Sequence, residues 1–189
     1  MEKRINVPEV LIELRPSLIH KGGVGVFAVV SMRKEQKVIE GVSLEDFRHQ
    51  ISWEDFSHFN NEIKRKIMDF CVGTPEGFIP PENMDFNKLS IEWYFNHSCE
   101  GNIGFSENGD FLTIRNIKKG EELAYDYGLV ESNPKFQMRC ECKSNKCRKF
   151  VTGNDWKLLA QNRIKTKYMH PFLKDELRVL EKIHWGTTP

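Results

Sequence analysis

Cys140, Cys142 and Cys147 form a Cys-x-Cys-x4-Cys cluster, a spacing that suits a thiolate metal site. Structural zinc is held tetrahedrally by four ligands, so three local cysteines need a distant fourth. The spacing leaves open which residue that is. The chain has 5 cysteines in all, an odd number and poor material for a disulfide framework. A second stretch able to approach a ligand is His20 to Val30, where Gly22, Gly23 and Gly25 lead into a β-branched and aromatic run. Glycine permits positive φ and lets a ligand come close to the backbone.

The elements that must position these residues are short. Val10, Ile12 and Leu14 alternate with Leu11, Glu13 and Arg15 as in a strand, and Lys37 to Glu40 reads as another. Ser43 to Phe70 reads as a helical insertion between β-rich parts. Ser52 to Asp55 resembles a capping box, and Phe59, Ile63, Ile67 and Phe70 share one helical face. Gly73 to Asn83, rich in proline and glycine, reads as loop. Ile103 and Phe105, the turn at Asn108-Gly109, and Phe111 to Arg115 make a hairpin. Glu122 to Tyr127 reads as a strand ending at Gly128. Asn154 is placed to cap a helix through Trp156, Leu159 and Ala160, and a last helix carrying Leu173, Leu177 and Leu180 starts after Pro171. The fold class is therefore mainly β with a helical insertion and a helical tail. It is not the βαβ alternation of a nucleotide-binding sheet.

Composition narrows the function. With 28 Lys plus Arg against 27 Asp plus Glu, the net charge is +1. Bulk charge cannot drive nucleic-acid binding in such a chain. Arg139, Lys143, Lys146, Arg148 and Lys149 do surround the cysteines, but no reading helix accompanies them, which argues against a zinc-dependent nucleic-acid binder. No apolar run is long enough to span a bilayer, and Met1 to Pro8 lacks the apolar segment of a signal peptide. A soluble intracellular protein without membrane contact is expected.

Four segments in order carry a resemblance. Gly23 to Ala28 fits Gly-x-Gly-Val-Phe-Ala, Asn96 to Asn102 is similar to Asn-His-Ser-Cys-x-Pro-Asn, and Gly120 to Gly128 is similar to Gly-Glu-Glu-Leu-Thr-Tyr/Phe-Asp-Tyr-Gly. With the cysteine cluster behind them, the chain resembles the SET-domain protein-lysine methyltransferases with a post-SET zinc motif. Glycine-rich turns are common, so the weight lies on the second and third segments and on the order of all four.

The resemblance implies a β-clip fold of several small sheets with a knot-like C-terminal crossing. It implies a SET domain over 10–129, a post-SET motif over 136–153 and a helical tail over 154–189. It implies S-adenosylmethionine as cofactor, with Gly23, Val24, Gly25, Asn96 and His97 binding it, and Tyr127 and Tyr125 as the catalytic pair. It supplies Cys99 as the fourth ligand to a structural zinc held by Cys140, Cys142 and Cys147, leaving Cys71 as a core thiol. The partner it implies is a protein substrate with an exposed lysine on a tail or loop, histone-like.

The chemistry fits these residue types. In-line methyl transfer needs a neutral amine, and an apolar aromatic channel disfavours the ammonium. Tyrosine walls such a channel and orients the amine without adding negative charge. The resemblance places Tyr125 at the family's Phe/Tyr switch, where a tyrosine implies mainly mono-methylation, with di-methylation second. Four departures stand against the pattern: Gly101 replaces proline, Trp93 replaces an arginine, Gly41 stands where a tyrosine is common, and Lys149 where a glycine is. Gly41 and Trp93 leave a second reading, a catalytically weak SET-fold protein-binding module.

Overall fold

The computed structural model describes residues 9–41, 45, 49–81 and 84–185, the last five by their backbone. These residues build four small sheets. The central one has the order β1-β2-β10-β7, from β1 (Ile12–Pro16), β2 (Val24–Ala28), β7 (Asn96–His97) and β10 (Glu122–Tyr125). The Val-Gly-Val-Phe-Ala run of β2 is buried over its last four residues, with antiparallel partners on both sides. The crossing of remote segments occurs at β7 and β10, which run parallel with Asn96 beside Ala124 and His97 beside Tyr125. Backbone bonds from Ser98 N–H to the Tyr125 carbonyl (2.9 Å) and from Asn102 N–H to the Ala124 carbonyl (2.8 Å) extend the contact. Gly101 lies where the two segments press together: a Cβ there would sit 2.7 Å from Tyr125 Cα.

A second sheet, β3-β9-β8, joins β3 (Lys37–Ile39) to the hairpin of β8 (Ile103–Phe105) and β9 (Phe111–Thr113). Its turn closes with Gly109 at φ +88°, as Asn108-Gly109 requires. Between this sheet and the central one lies the main core, which includes Val26, Ile103, Leu123, Leu129, Met169 and Leu173. The last helix, α5 (Pro171–Trp185), enters the core through Leu173; α3 (Asp155–Leu159) and α4 (Arg163–Lys167) precede it.

The insertion departs from a continuous helix. Its first residues, 43 and 44, and 46–48 lie outside the described residues. The remainder forms β4 (Ile51–Ser52), α1 (Trp53–His58) and α2 (Asn61–Phe70). Ser52 and Asp55 make the capping box. Phe59 then takes extended backbone and Asn60 caps α2 through Ile63 N–H, so the periodic face is broken between Phe59 and Ile63. Only Ile67 of that face is fully buried. The expected loop after α2 is instead a hairpin of β5 (Val72–Gly73) and β6 (Gly77–Ile79), both paired into a sheet with β4. Pro75 sits inside its turn, and Thr74 and Gly77 bond across it, so proline marked the turn but not the strands around it. Asn154 stands at the start of α3 without a capping side-chain bond; its oxygen takes Lys157 Nζ instead. The hydroxyl of Thr152 donates to Asp155 in that first turn.

Candidate functional site

The strand carrying the two tyrosines stops at Tyr125 rather than running through Tyr127. Asp126 accepts the N–H of Gly128 and turns the chain into a single 3₁₀ turn, Tyr127–Leu129. Two residues of one strand would point alike at 6–7 Å spacing. The turn instead brings the rings of Tyr125 and Tyr127 to 4.9 Å between centroids. Burial pushes both phenol pKa values up, with the charge of Glu131 adding to it, so both hydroxyls keep their protons. Tyr127 uses its hydroxyl to donate to the Phe95 carbonyl at 3.1 Å.

These rings wall a pocket of about 80 Å³. Phe105 and Phe111 each stand 5.5 Å from the Tyr125 ring, and Phe95 stands 4.7 Å from Phe111. The end of α2 and the strand after it, Met68 to Val72, form another wall, and Trp93 lines it as well. Among the described residues none of the lining is basic, whereas Asp69, Glu92 and Glu131 are acidic. An aromatic enclosure with carboxylates in its wall favours a slender cation. Cys71 also lines the pocket beside its packing on the Ile51, Ile67 and Phe78 cluster, and burial pushes its thiol up to about 12.

The residues expected to bind the cofactor gather on the central sheet. Asn96 Nδ2 donates to the Val24 carbonyl at 2.9 Å, so the glycine-rich strand and the Asn-His segment are fastened together. The fastening is completed by Glu122, which sequence reasoning passed over as a strand residue. Its carboxylate accepts Asn96 Nδ2 (2.9 Å), Ser17 Oγ (2.7 Å) and the N–H groups of Leu18 (2.7 Å) and Ile19 (3.2 Å). Gly25 gives it room, for a Cβ there would lie 2.2 Å from Glu122 Oε1. Gly23 packs its bare Cα against the His20 ring. The His97 ring is buried and turned inward: Nδ1 accepts the Tyr127 N–H at 3.1 Å, which leaves the proton on Nε2, 3.3 Å from Cys99 Sγ. Burial, against the pull of Asp126, lowers its pKa to about 4, so the ring is neutral. Only its backbone is left for a ligand.

Cys99, Cys140, Cys142 and Cys147 converge, with all four sulfurs within 4.8 Å of one another. Four thiolates about 2.3 Å from a tetrahedral zinc stand about 3.8 Å apart. The Cys99 and Cys140 sulfurs are separated by 3.7 Å. Backbone N–H groups of Arg148 and Lys149 point at the sulfurs of Cys99 and Cys147, both at 3.4 Å, as suits thiolates. The donor set fits one tetrahedral ion and leaves no open position. Lys149, standing where the resemblance leads to glycine, takes φ +68°.

Three further residues were missed. Glu131, 6% exposed, accepts the N–H groups of Gly73 and Asn133, both at 2.8 Å, and burial raises its carboxyl to about 7. Asp126, buried, forms an ion pair with the half-buried Arg148. Nothing in residue type distinguishes them from surface charges; only Asp126, inside the tyrosine segment, had a signal.

The sequence model of the SET domain matches residues 23–128, more than half of the 189 residues. The chain is 39% identical over 94 residues to a probable histone-lysine N-methyltransferase, set-23, of Caenorhabditis elegans, an overlap covering 45% of this chain and 37% of the relative. It is 32% identical over 74 residues to the histone-lysine N-methyltransferase ASHH2 of Arabidopsis thaliana, covering 35% and 4%. Over 66 residues it is 38% identical to the histone-lysine N-methyltransferase trithorax of Drosophila virilis, covering 31% and 2%. The chain thus spans well under half the length of each.

Proposed function

The chain belongs to the SET-domain family, and from that premise we propose that it is an S-adenosylmethionine-dependent protein-lysine N-methyltransferase acting on a basic protein tail, histone-like, and adding chiefly one methyl group. The observation that carries this is the pocket: eight aromatic side chains, two of them tyrosines with protonated hydroxyls, around a space of about 80 Å³ with acidic and, among the described residues, no basic lining. A lysine side chain is a thin apolar rod with a cationic end, and such a pocket accepts both. The relatives named as histone-lysine N-methyltransferases support the same class.

When bound, S-adenosylmethionine supplies an electrophilic methyl group on a positively charged sulfur. The oxygens of the Tyr127 hydroxyl and the Phe95 carbonyl, with no basic side chain among the described residues lining the pocket, fit a positive centre there. Val24 and Asn96, fastened at 2.9 Å and braced by Glu122, would hold the cofactor beside β10, with His97 contributing backbone only. Gly23 and Gly25 serve by keeping that turn close to its neighbours.

The protein's own residues then have distinct tasks. Phe105, Phe111 and Phe95 exclude water, which lowers the amine's affinity for its proton. Tyr127, fixed through its hydroxyl and its N–H, aims the amine lone pair. Tyr125 brings a hydroxyl into space that additional methyl groups would need. Zinc on the four cysteines would be structural, tying 136–153 to the Asn96–Asn102 segment and so making the zinc motif part of the site. The division into a domain over 10–129, the zinc motif and a helical tail follows from the same reading.

The test is incubation with tritiated cofactor and a panel of histones and cell lysate, using Tyr127→Phe as control and mass spectra of the product. Label on lysine, lost at least about 100-fold in Tyr127→Phe, is the expected result. No labelled cofactor bound and no methyl transfer would leave the binding-module reading in its place, and predominant tri-methylation would overturn the role of Tyr125.

A further inference from the structure

The sulfur of Cys99 is the start of two chains of contacts that end on one turn. In the first, His97 Nε2–H reaches Cys99 Sγ at 3.3 Å and His97 Nδ1 accepts the N–H of Tyr127 at 3.1 Å. In the second, the N–H of Arg148 reaches the same sulfur at 3.4 Å, and the Arg148 guanidinium grips Asp126 with both terminal nitrogens, at 2.8 and 2.6 Å. Asp126 is the residue before Tyr127 and caps its turn. The contacts therefore close a ring: sulfur, imidazole, tyrosine turn, aspartate, arginine, and back to sulfur.

Arg148 has a third arm. Its Nε donates to Asp155 at 2.7 Å, in the first turn of α3. Lys165 of α4 lies 3.9 Å from Asp126, and the N–H of His170 donates to the Leu129 carbonyl at the far end of the tyrosine turn. The turn is thus held from the cysteine cluster and from the tail, a stretch beyond the residues matched by the SET-domain comparison. The charges involved are not surface ornaments. Asp126 is 1% exposed, Asp155 8% and Arg148 23% on their side chains. Bidentate Arg–carboxylate pairs fix geometry as well as charge, and a lysine cannot reproduce them.

We infer that Arg148 is a positioning residue for Tyr127, transmitting the order of the cysteine cluster to the tyrosine turn through Asp126 and locking the tail helix α3 into the same unit through Asp155. Arg148 touches neither substrate nor reacting atoms. It acts on where the Tyr127 hydroxyl stands. The inference rests on the methyltransferase reading for its catalytic consequence but not for its mechanical one.

The experiment uses the full chain and three variants, Arg148→Gln, Arg148→Lys and Asp126→Asn, with two kinds of readout. Hydrogen exchange of the 125–130 amides is followed with and without a zinc chelator. In the unaltered chain, chelation accelerates exchange at 125–130 at least tenfold; Arg148→Gln does so without chelator, and the two effects together fall short of their product. Under turnover, Arg148→Gln and Arg148→Lys lower kcat at least tenfold with KM for a lysine peptide within threefold. Asp126→Asn, which keeps the shape and loses the charge, supplies the same readings if the arginine variants do not fold. Unchanged exchange at 125–130 in these variants, or kcat within twofold, overturns the inference whatever the activity of the unaltered chain. Coupled exchange in an unaltered chain that transfers no methyl group overturns the methyltransferase reading and leaves the mechanical unit standing.

Discussion

The aromatic pocket and the cysteine cluster lie on either side of His97, and they are held together by opposite means. The pocket is apolar surface: Phe95, Phe105 and Phe111 are each no more than 4% exposed and pack on two sheets. Burial of such rings stabilises by roughly 1.5–3 kcal/mol apiece, and nothing external is required. The cluster has two strands, β11 (Gln137–Arg139) and β12 (Phe150–Thr152), and a smaller apolar surface: Val151 and the cysteines, with Tyr127, Phe136 and Met138 packed against them. It also tolerates positive φ at Lys143 and Lys149. Four thiolates so close repel one another unless a cation sits among them. One region is held by water's rejection of rings, the other gathers four thiolates able to hold a metal ion, and the turn of Tyr127 is fastened to both.

The strongest challenge to this contrast is metal removal. Structural zinc sites contribute roughly 10 kcal/mol or more of apparent binding free energy, enough to decide whether the segment folds. Chelation, or Cys142→Ser, is expected to disorder residues after Met138 and abolish activity, while the near-ultraviolet dichroism of the buried rings persists. Full activity in metal-free protein would contradict the role given to the cluster. The reverse cut is Phe105→Ala, expected to lower stability by about 3–5 kcal/mol in urea while zinc content stays unchanged. Zinc loss at denaturant levels where the chain is still folded would show the two regions to be one.

Glu131 sharpens the comparison, since it is a charge on the apolar side. Burial raises its folded pKa to about 7, above the ordinary 4.5. A carboxyl so raised contributes stability that is complete below about pH 4.5 and lost as pH rises to about 7, by at most about 3 kcal/mol. Glu131→Gln should remove that slope, read as the difference between the two chains' urea midpoints from pH 4.5 to 7.5. Identical slopes would mean the carboxylate is not desolvated.

Two smaller effects remain. Tyr125→Phe should cost about 1 kcal/mol or less and move the product toward more methyl groups, seen by mass spectrometry. Lys149→Gly should stabilise the cluster by about 1 kcal/mol, because a left-handed φ strains a side chain with a Cβ. Slower zinc release from that variant is the measurement. An unchanged rate would deny the strain.

The sequence was most legible where one residue type does one job. The capping box at Ser52, the Asn108-Gly109 turn and the start of α5 at Pro171 each follow from local chemistry, and each is observed. It was less legible where two elements share a short stretch. Pro75 signalled a loop, but strand pairing with Ile51–Ser52, over 20 residues away, made a hairpin of its surroundings. Glu122 and Glu131 looked like surface carboxylates because ion pairing and burial are not written in residue type. Glu122 earns its place only once Ser17, Leu18 and Asn96 arrive from elsewhere.

By itself, then, the amino-acid order determined the family's three segments within 23–128, the mainly β class, the three local cysteines and the tyrosine pair. Only the tertiary structure decided that the tyrosine strand breaks at Asp126, that the imidazole of His97 faces inward to Cys99, and that Arg148 spans sulfur, Asp126 and Asp155. The reason is physical. Periodicity, capping and turn chemistry act within a few residues, whereas hydrogen bonds and ion pairs of a site join groups tens of residues apart, whose meeting depends on how the whole chain packs.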